Sequence, residues 1–216
     1  MTKSDPRQPK ARQRRPRASA VANRNKIIAA ALRAFSEHGY DTVSTRDIAA
    51  LAGMEQGHLA YYFPSKELLW REVVSSFNME FDLIVRKHVE DAEDGDLLEN
   101  AQSFFRQLVR YFAKNREFTR LMLQEFSSAS PRRDWLVMEY SSPLWNRIKP
   151  MVEVLLAERN CDIDPAIPYF SFIATSLHFF GLHKEVREMS GLDINDNKTV
   201  DLIVDHILST TLFIKS

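Results

Sequence analysis

The chain has 216 residues, of which 44% are hydrophobic, so it can bury one large core or divide into a small unit and a larger one. No run of about 18 uncharged apolar residues occurs, the basic N-terminus has no apolar segment behind it, and Cys161 is the single cysteine; a membrane span, a secretory signal and an internal disulfide framework are excluded, and the cytoplasm of a microbe is the expected setting. Net charge is zero but unevenly placed: residues 1–26 hold nine Lys or Arg against one acid, residues 27–72 four against six, and residues 73–216 16 against 22, so a polyanion is expected at one end only.

Only six glycines and a mostly helical apolar spacing predict an all-α fold. Residues 1–24 are rich in Arg, Pro, Gln, Ser and Ala and are expected to be a disordered basic arm, read either as a phosphate-binding arm or as a solvated tail. Asn25–His38 is the first predicted helix, with Ile28, Ala31, Leu32 and Phe35 inward and Gly39 as its stop. Tyr40 and Val43 are expected to plug the same small core.

Between Val43 and Leu68 the sequence reads VSTRDIAALAGMEQGHLAYYFPSKEL. Ser44 and Thr45 are helix-capping residues, and Ile48, Ala49, Leu51 and Ala52 give a short helix one apolar side. Gly53 supplies the turn. Leu59, Tyr62 and Phe63 give a second short helix its inner face, and Ser65 caps a third. This is a helix-turn-helix, whose second helix can enter the DNA major groove.

The order T-R-D-I-A-x-x-A-G followed by G-x-L-x-x-Y-F-x-S-K-E-x-L resembles the DNA-binding segment of the TetR family of transcriptional regulators, over roughly Asn25 to Glu72. The resemblance implies a three-helix DNA-binding domain over 25–72 and a larger helical ligand-binding and dimerisation domain over 73–216. Its DNA-facing residues would be Thr45, Arg46, Gln56, Gly57, His58, Tyr61, Tyr62 and Lys66. Gln56 has an amide suited to adenine, His58 can donate to a base or phosphate, and Tyr61, Lys66, Thr45 and Arg46 suit phosphates. Arg46 can alternatively reach guanine. Phe63 is read as core, and so chiefly is Tyr62; Glu55 is read as a helix cap or a favourable N-terminal charge. Three positions depart from the usual pattern: Glu55 and His58 stand where hydroxyl residues are common, and Ala60 where Tyr is frequent.

A long helix is predicted from Ser65 to about His88, then an acidic loop over 90–96, then helices over Leu97–Asn115 and Glu117–Phe126. Ser127–Arg133 reads as a turn, and Trp135–Arg159 as a helix interrupted near Ser141–Pro143 with a kink at Pro150. Asp164 and Pro165 open a helix expected to reach Met189, and Asp196–Phe213 is the last. Both final helices are apolar more than half-way round, and the family resemblance implies that they pair with their copies in a four-helix homodimer interface.

Phe81, Phe105, Phe112, Met122, Glu125, Trp145, His178 and Phe179 are candidate lining for an effector pocket, Glu125 and His178 because each is polar within an apolar stretch. The segments FTRLMLQEF and LHFFGLHKEVREMSG are similar to the pyrimidine-responsive RutR-like members of the family, without carrying over an effector or its contacts. The expected partners are a double-stranded DNA operator, a small-molecule effector and a second copy of the chain. No cofactor, metal site or catalytic residue is expected: the six histidines form no i, i+4 pair, and no HExxH, glycine-rich phosphate loop or G-x-S-x-G occurs. A ligand-responsive repressor on a palindromic operator is therefore expected, with an activator of the same fold or a helical enzyme as the alternatives.

Overall fold

The computed structural model describes residues 15–90 and 97–214, and no strand occurs among them. The head contains α1 (Arg15–His38), α2 (Thr45–Leu51) and α3 (Gln56–Tyr62), and α4 (Lys66–Val85) leaves it for the body. A π turn, Arg86–Glu90, closes α4. The body continues with α5 (Leu97–Lys114), α6 (Arg116–Phe126) and α7 (Pro131–Leu136), then a π turn Val137–Ser141 that runs into α8 (Ser142–Glu158). It ends with α9 (Ala166–Gly181), α10 (His183–Ser190) and α11 (Asn197–Thr211).

The first helix begins ten residues earlier than expected. Residues 15–24, assigned above to a disordered arm, are its opening turns, and residues 1–14 of that arm lie outside the described residues. Ala18, Ala20 and Ala22 are strong helix formers, and they extend a helix already nucleated by the packed stretch 27–35. Gly39 ends it at φ 79°, a left-handed backbone that glycine adopts freely. Ile27, Ala31 and Phe35 pack in the buried core of the head with Ile48, Ala49, Leu59 and Phe63. Leu51 does not join them: it is 55% exposed, so the apolar side of α2 is narrower than its sequence implied.

Three body elements differ from expectation. The turn over 127–133 contains the start of α7, because Ser130 accepts from the Arg133 N–H and Pro131 stands in the first turn, where its missing N–H costs nothing. The interruption near Ser141–Pro143 is the π turn. The helix expected to reach Met189 breaks at Leu182, and α10 is separate. The expected acidic loop lies, over 91–96, outside the described residues.

Gly181 stands at that break for a packing reason. A Cβ there would meet the Arg120 Cα at 3.3 Å, the Leu123 Cδ2 at 3.3 Å and the Thr119 carbonyl oxygen at 3.4 Å. The glycine lets α9 lie directly on the backbone of α6. Around this contact sit the buried faces of α5 (Phe104, Phe105, Leu108, Val109, Phe112), α6 (Phe118, Leu121, Met122) and α9 (Phe172, Leu177, Phe180). Gly181→Val forces a branched side chain against fixed backbone and is expected to destabilise the protein by about 1–3 kcal/mol, measured as a lower denaturation midpoint with unchanged m.

Candidate nucleic-acid interface

The head's exposed face is built from the starts of α2 and α3. Ser44 caps α2 through a reciprocal box: its Oγ accepts from the Asp47 N–H at 3.2 Å, and the Asp47 carboxylate accepts from the Ser44 N–H at 3.0 Å and hydroxyl at 2.6 Å. Those bonds, the Ser44 hydroxyl first, lower the Asp47 pKa below its ordinary value. A depressed carboxylate stabilises the fold above its unfolded value, and that contribution is lost as pH falls through the folded one. Gly53, at φ 68°, then turns the chain into α3. Glu55 occupies the N-cap of α3 but its side chain makes no capping bond, leaving a negative charge beside the positive helix end.

Helix α3 turns Leu59 inward, followed by Phe63, and leaves Gln56, Gly57, His58, Ala60 and Tyr61 in solvent; Tyr61 is 82% exposed. Tyr62 is half-buried, and its ring centroid lies 5.4 Å from those of both His58 and Tyr61. Gln56 Nε2 reaches Thr45 Oγ1 at 3.5 Å, which ties the first residue of α3 to the first of α2. Arg46 projects beside them, exposed. The face therefore gathers Thr45, Arg46, Gln56, Gly57, His58, Tyr61 and the edge of Tyr62, in an arrangement that offers amide, imidazole, guanidinium and phenol groups to solvent.

Lys66 is the exception. Its Nζ donates to the carbonyls of Tyr40 at 2.8 Å and Val43 at 2.9 Å and lies 4.2 Å from the Tyr40 ring centroid. The ammonium thus locks the α1–α2 connection to the start of α4 and does not stand among the outward groups. Sequence spacing could not reveal this, because the two carbonyls lie 26 and 23 residues away.

The head is tied to the body through a second set of residues that sequence reasoning missed. The Ser36 carbonyl accepts from Arg120 Nε and Gln124 Nε2, each at 3.0 Å. Arg120 also pairs with Glu185 at 2.9 Å. The Arg132 guanidinium sits 3.8 Å from the Tyr40 ring centroid, 3.1 Å from Glu125 and 3.6 Å from Asp41. Burial raises the Tyr40 pKa despite the opposing pull of Arg132. Trp135 meets Trp70 edge-on at 5.7 Å and receives Arg71 on its ring at 4.9 Å.

These contacts correct two of the pocket candidates. Glu125 is 3% exposed and committed to Arg132, so it belongs to the head–body joint. His178 is exposed on α9, with Nδ1 2.8 Å from the Ala174 carbonyl, and lines no interior space. Phe105, Phe112 and Met122 are buried in the body, and Phe81, Trp145 and Phe179 are half-buried there. Two grooves are lined by other residues: one of about 510 Å³ between α1 and α2 (Ala34, His38, Val43, Asp47, Leu51) and one of about 200 Å³ near the end of α11 (Leu98, Gln102, Arg159, Phe213). Among the described residues no helix is long and apolar enough to cross a membrane, and no group of three or more His, Cys, Asp or Glu could hold a metal ion.

Lys66 and Arg46 separate experimentally. Lys66→Met leaves two carbonyls without their donor and is expected to cost about 1–3 kcal/mol of stability while leaving the salt dependence of DNA affinity unchanged. Arg46→Ala is expected to leave stability within about 0.5 kcal/mol and to lower the slope of log K against log salt by about 1 per subunit. Chemical denaturation and salt-titrated binding measure the two.

Comparison with known proteins agrees with this geometry. Residues 27–73 match the model described as bacterial regulatory proteins, tetR family. The chain is 26% identical over 191 residues to the HTH-type transcriptional regulator RutR of Escherichia coli (strain K12), covering 86% of this chain and 89% of that protein. A shorter match, 35% identical over 66 residues, covers 30% of this chain and 36% of IcaR of Staphylococcus epidermidis, the HTH-type negative transcriptional regulator of the biofilm operon icaADBC. The crystal structure of AibR in complex with isovaleryl coenzyme A and operator DNA shares the fold, with a TM-score of 0.66 at 15% identity over 88% of this chain and 98% of that one. The head, the long connecting helix and the helical body are those of a DNA-binding transcriptional regulator, similar along most of the chain to regulators of the TetR family.

Proposed function

We propose that the chain is a ligand-responsive repressor that binds a palindromic operator as a homodimer and works in the cytoplasm, where that DNA lies. The observation that carries this reading is the outward row on α3: Gln56, His58 and Tyr61 are exposed while Leu59 and Phe63 fix the helix from behind. Gln56 reads a base edge, His58 a base or a phosphate, and Tyr61, Thr45 and Arg46 hold the backbone. The nine Lys and Arg of residues 1–26 supply positive charge for further phosphate contacts. The comparisons favour repression under ligand control: IcaR is named a negative regulator, and AibR was crystallised with both a coenzyme A ester and operator DNA.

Dimerisation is supported by what α9 and α11 leave uncovered. Ile167 is 57% and Phe170 61% exposed on α9, and the same face continues through Ala174 to His178; Leu202 is 72% exposed on α11. A second copy paired about a two-fold axis covers these side chains and sets two α3 helices about one DNA turn apart, roughly 34–36 Å. Effector binding in the body then shifts the population towards a state in which that spacing no longer fits, by as much as the effector's affinity differs between the two states.

Sequencing of fragments bound from a genomic pool is expected to return an inverted repeat; binding without sequence preference overturns the reading. Gln56→Ala is expected to relax preference at one base pair per half-site, losing about 1–3 kcal/mol of discrimination there. Phe170→Glu places a charge in the covered face, and sedimentation is expected to show monomers with operator affinity lowered at least tenfold. A wild-type chain that sediments as a monomer on its operator refutes the dimer.

A further inference from the structure

Among the described residues, two of the buried polar atoms without a hydrogen-bond partner, His88 Nε2 and Ser176 Oγ, lie along one row of aromatic rings. The row starts at His88 and passes through Phe104 and Phe105 to Phe172, with centroid separations of 5.9, 5.0 and 5.2 Å. His88 is 4% exposed. Its Nδ1 lies 2.7 Å from Asn100 Oδ1, and Asn100 Nδ2 donates to the His88 carbonyl at 2.6 Å. Because the amide nitrogen is spent on that carbonyl, Oδ1 is the acceptor and Nδ1 carries the proton. The other nitrogen, Nε2, presents a bare lone pair with no donor.

Ser176 stands one turn beyond Phe172 on α9 and is fully buried, and its Oγ also has no partner. Neighbouring hydroxyls behave differently: Thr175 donates to the Ser171 carbonyl at 2.7 Å and Thr211 to the Ile207 carbonyl at 2.6 Å. Buried polar groups are normally satisfied, so two orphans flanking one aromatic row call for an absent partner. His88 also lies in the π turn that closes α4, and such turns recur at functional sites.

We propose that this row is the effector site. A small, flat, neutral molecule inserts between α5 and α9, donates an N–H or O–H to His88 Nε2, and pairs with Ser176 Oγ. Flatness follows from the rings it must lie against. Neutrality follows from the row itself: with His88 Nε2 serving as an acceptor, its phenylalanines and serine offer a buried charge no counter-ion. The assignment rests on the reading that the chain answers to a ligand.

The test uses the full chain with indole, benzimidazole and phenol as probes, each beside its N- or O-methylated counterpart, in ligand-observed NMR titrations. His88→Asn keeps a donor at the place of Nδ1 for Asn100 and removes Nε2. At least one probe is expected to bind. Methylating its donor is expected to weaken binding at least tenfold, and His88→Asn to do the same while operator affinity stays within twofold. Ser176→Ala is expected to weaken binding and to raise the melting temperature, since it removes an unpaired hydroxyl; it carries the comparison if His88→Asn does not fold. Binding by none of the probes, equal binding of the methylated compounds, or equal binding by both variants overturns the assignment. Operator affinity measured alongside separates the two readings. A probe that binds through His88 without releasing DNA keeps the site and refutes ligand control. DNA release by a compound indifferent to both substitutions keeps ligand control and refutes the site.

Discussion

The placement of the head on the body depends on one aromatic ring. Tyr40 follows α1, and two cations lie against its ring: the Lys66 ammonium from the first turn of α4 and the Arg132 guanidinium from α7. One cation comes from the head's own exit helix and the other from the body, so the ring is the shared point of both. A cation on an aromatic face is worth about 0.5–2 kcal/mol, and here each cation also has anionic or carbonyl partners that fix its position. Remove the ring and the α1–α2 connection, the start of α4 and the start of α7 lose their common reference.

Helix α6 extends that constraint into the body. One side of it holds the Ser36 carbonyl through Arg120 and Gln124, and another lies against Gly181 of α9 with no side chain between. The same 11-residue helix therefore touches the DNA-binding unit and the helix expected at the subunit boundary. Neither contact is soft: one is a pair of hydrogen bonds to a single oxygen, the other is an approach so close that a Cβ at position 181 would stand 3.3 Å from the Arg120 Cα.

The sequence was most legible where the physics is local. The Ser44 and Ser65 caps, the Gly53 turn and the inward Leu59 and Phe63 follow from spacing within a few residues, and they set the recognition face. The body helices were legible from periodicity, which counts apolar positions and not what they touch. What periodicity could not give was pairing at long range. Lys66 looked like a phosphate ligand because it is charged and near the face, yet its carbonyl partners lie on the far side of two helices in sequence. Glu125 looked like a pocket residue because it is polar among apolar neighbours, and Arg132, hidden in a stretch read as a turn, explains it. His88 drew no notice because a histidine near a helix end has no local signature; only its missing partner singles it out.

The connecting rod α4 gives these arrangements mechanical leverage. Its 20 residues make a stiff shaft about 30 Å long, pinned at the head by Lys66 and ending in a π turn around His88. A tilt of about 6° about the π end carries the far end about 3 Å, and in the proposed dimer two subunits tilting in opposite senses change their separation by about 6 Å, more than the rise of one base pair. In the proposed dimer, a tilt of that size at the π end is enough to take two reading heads out of step with the double helix.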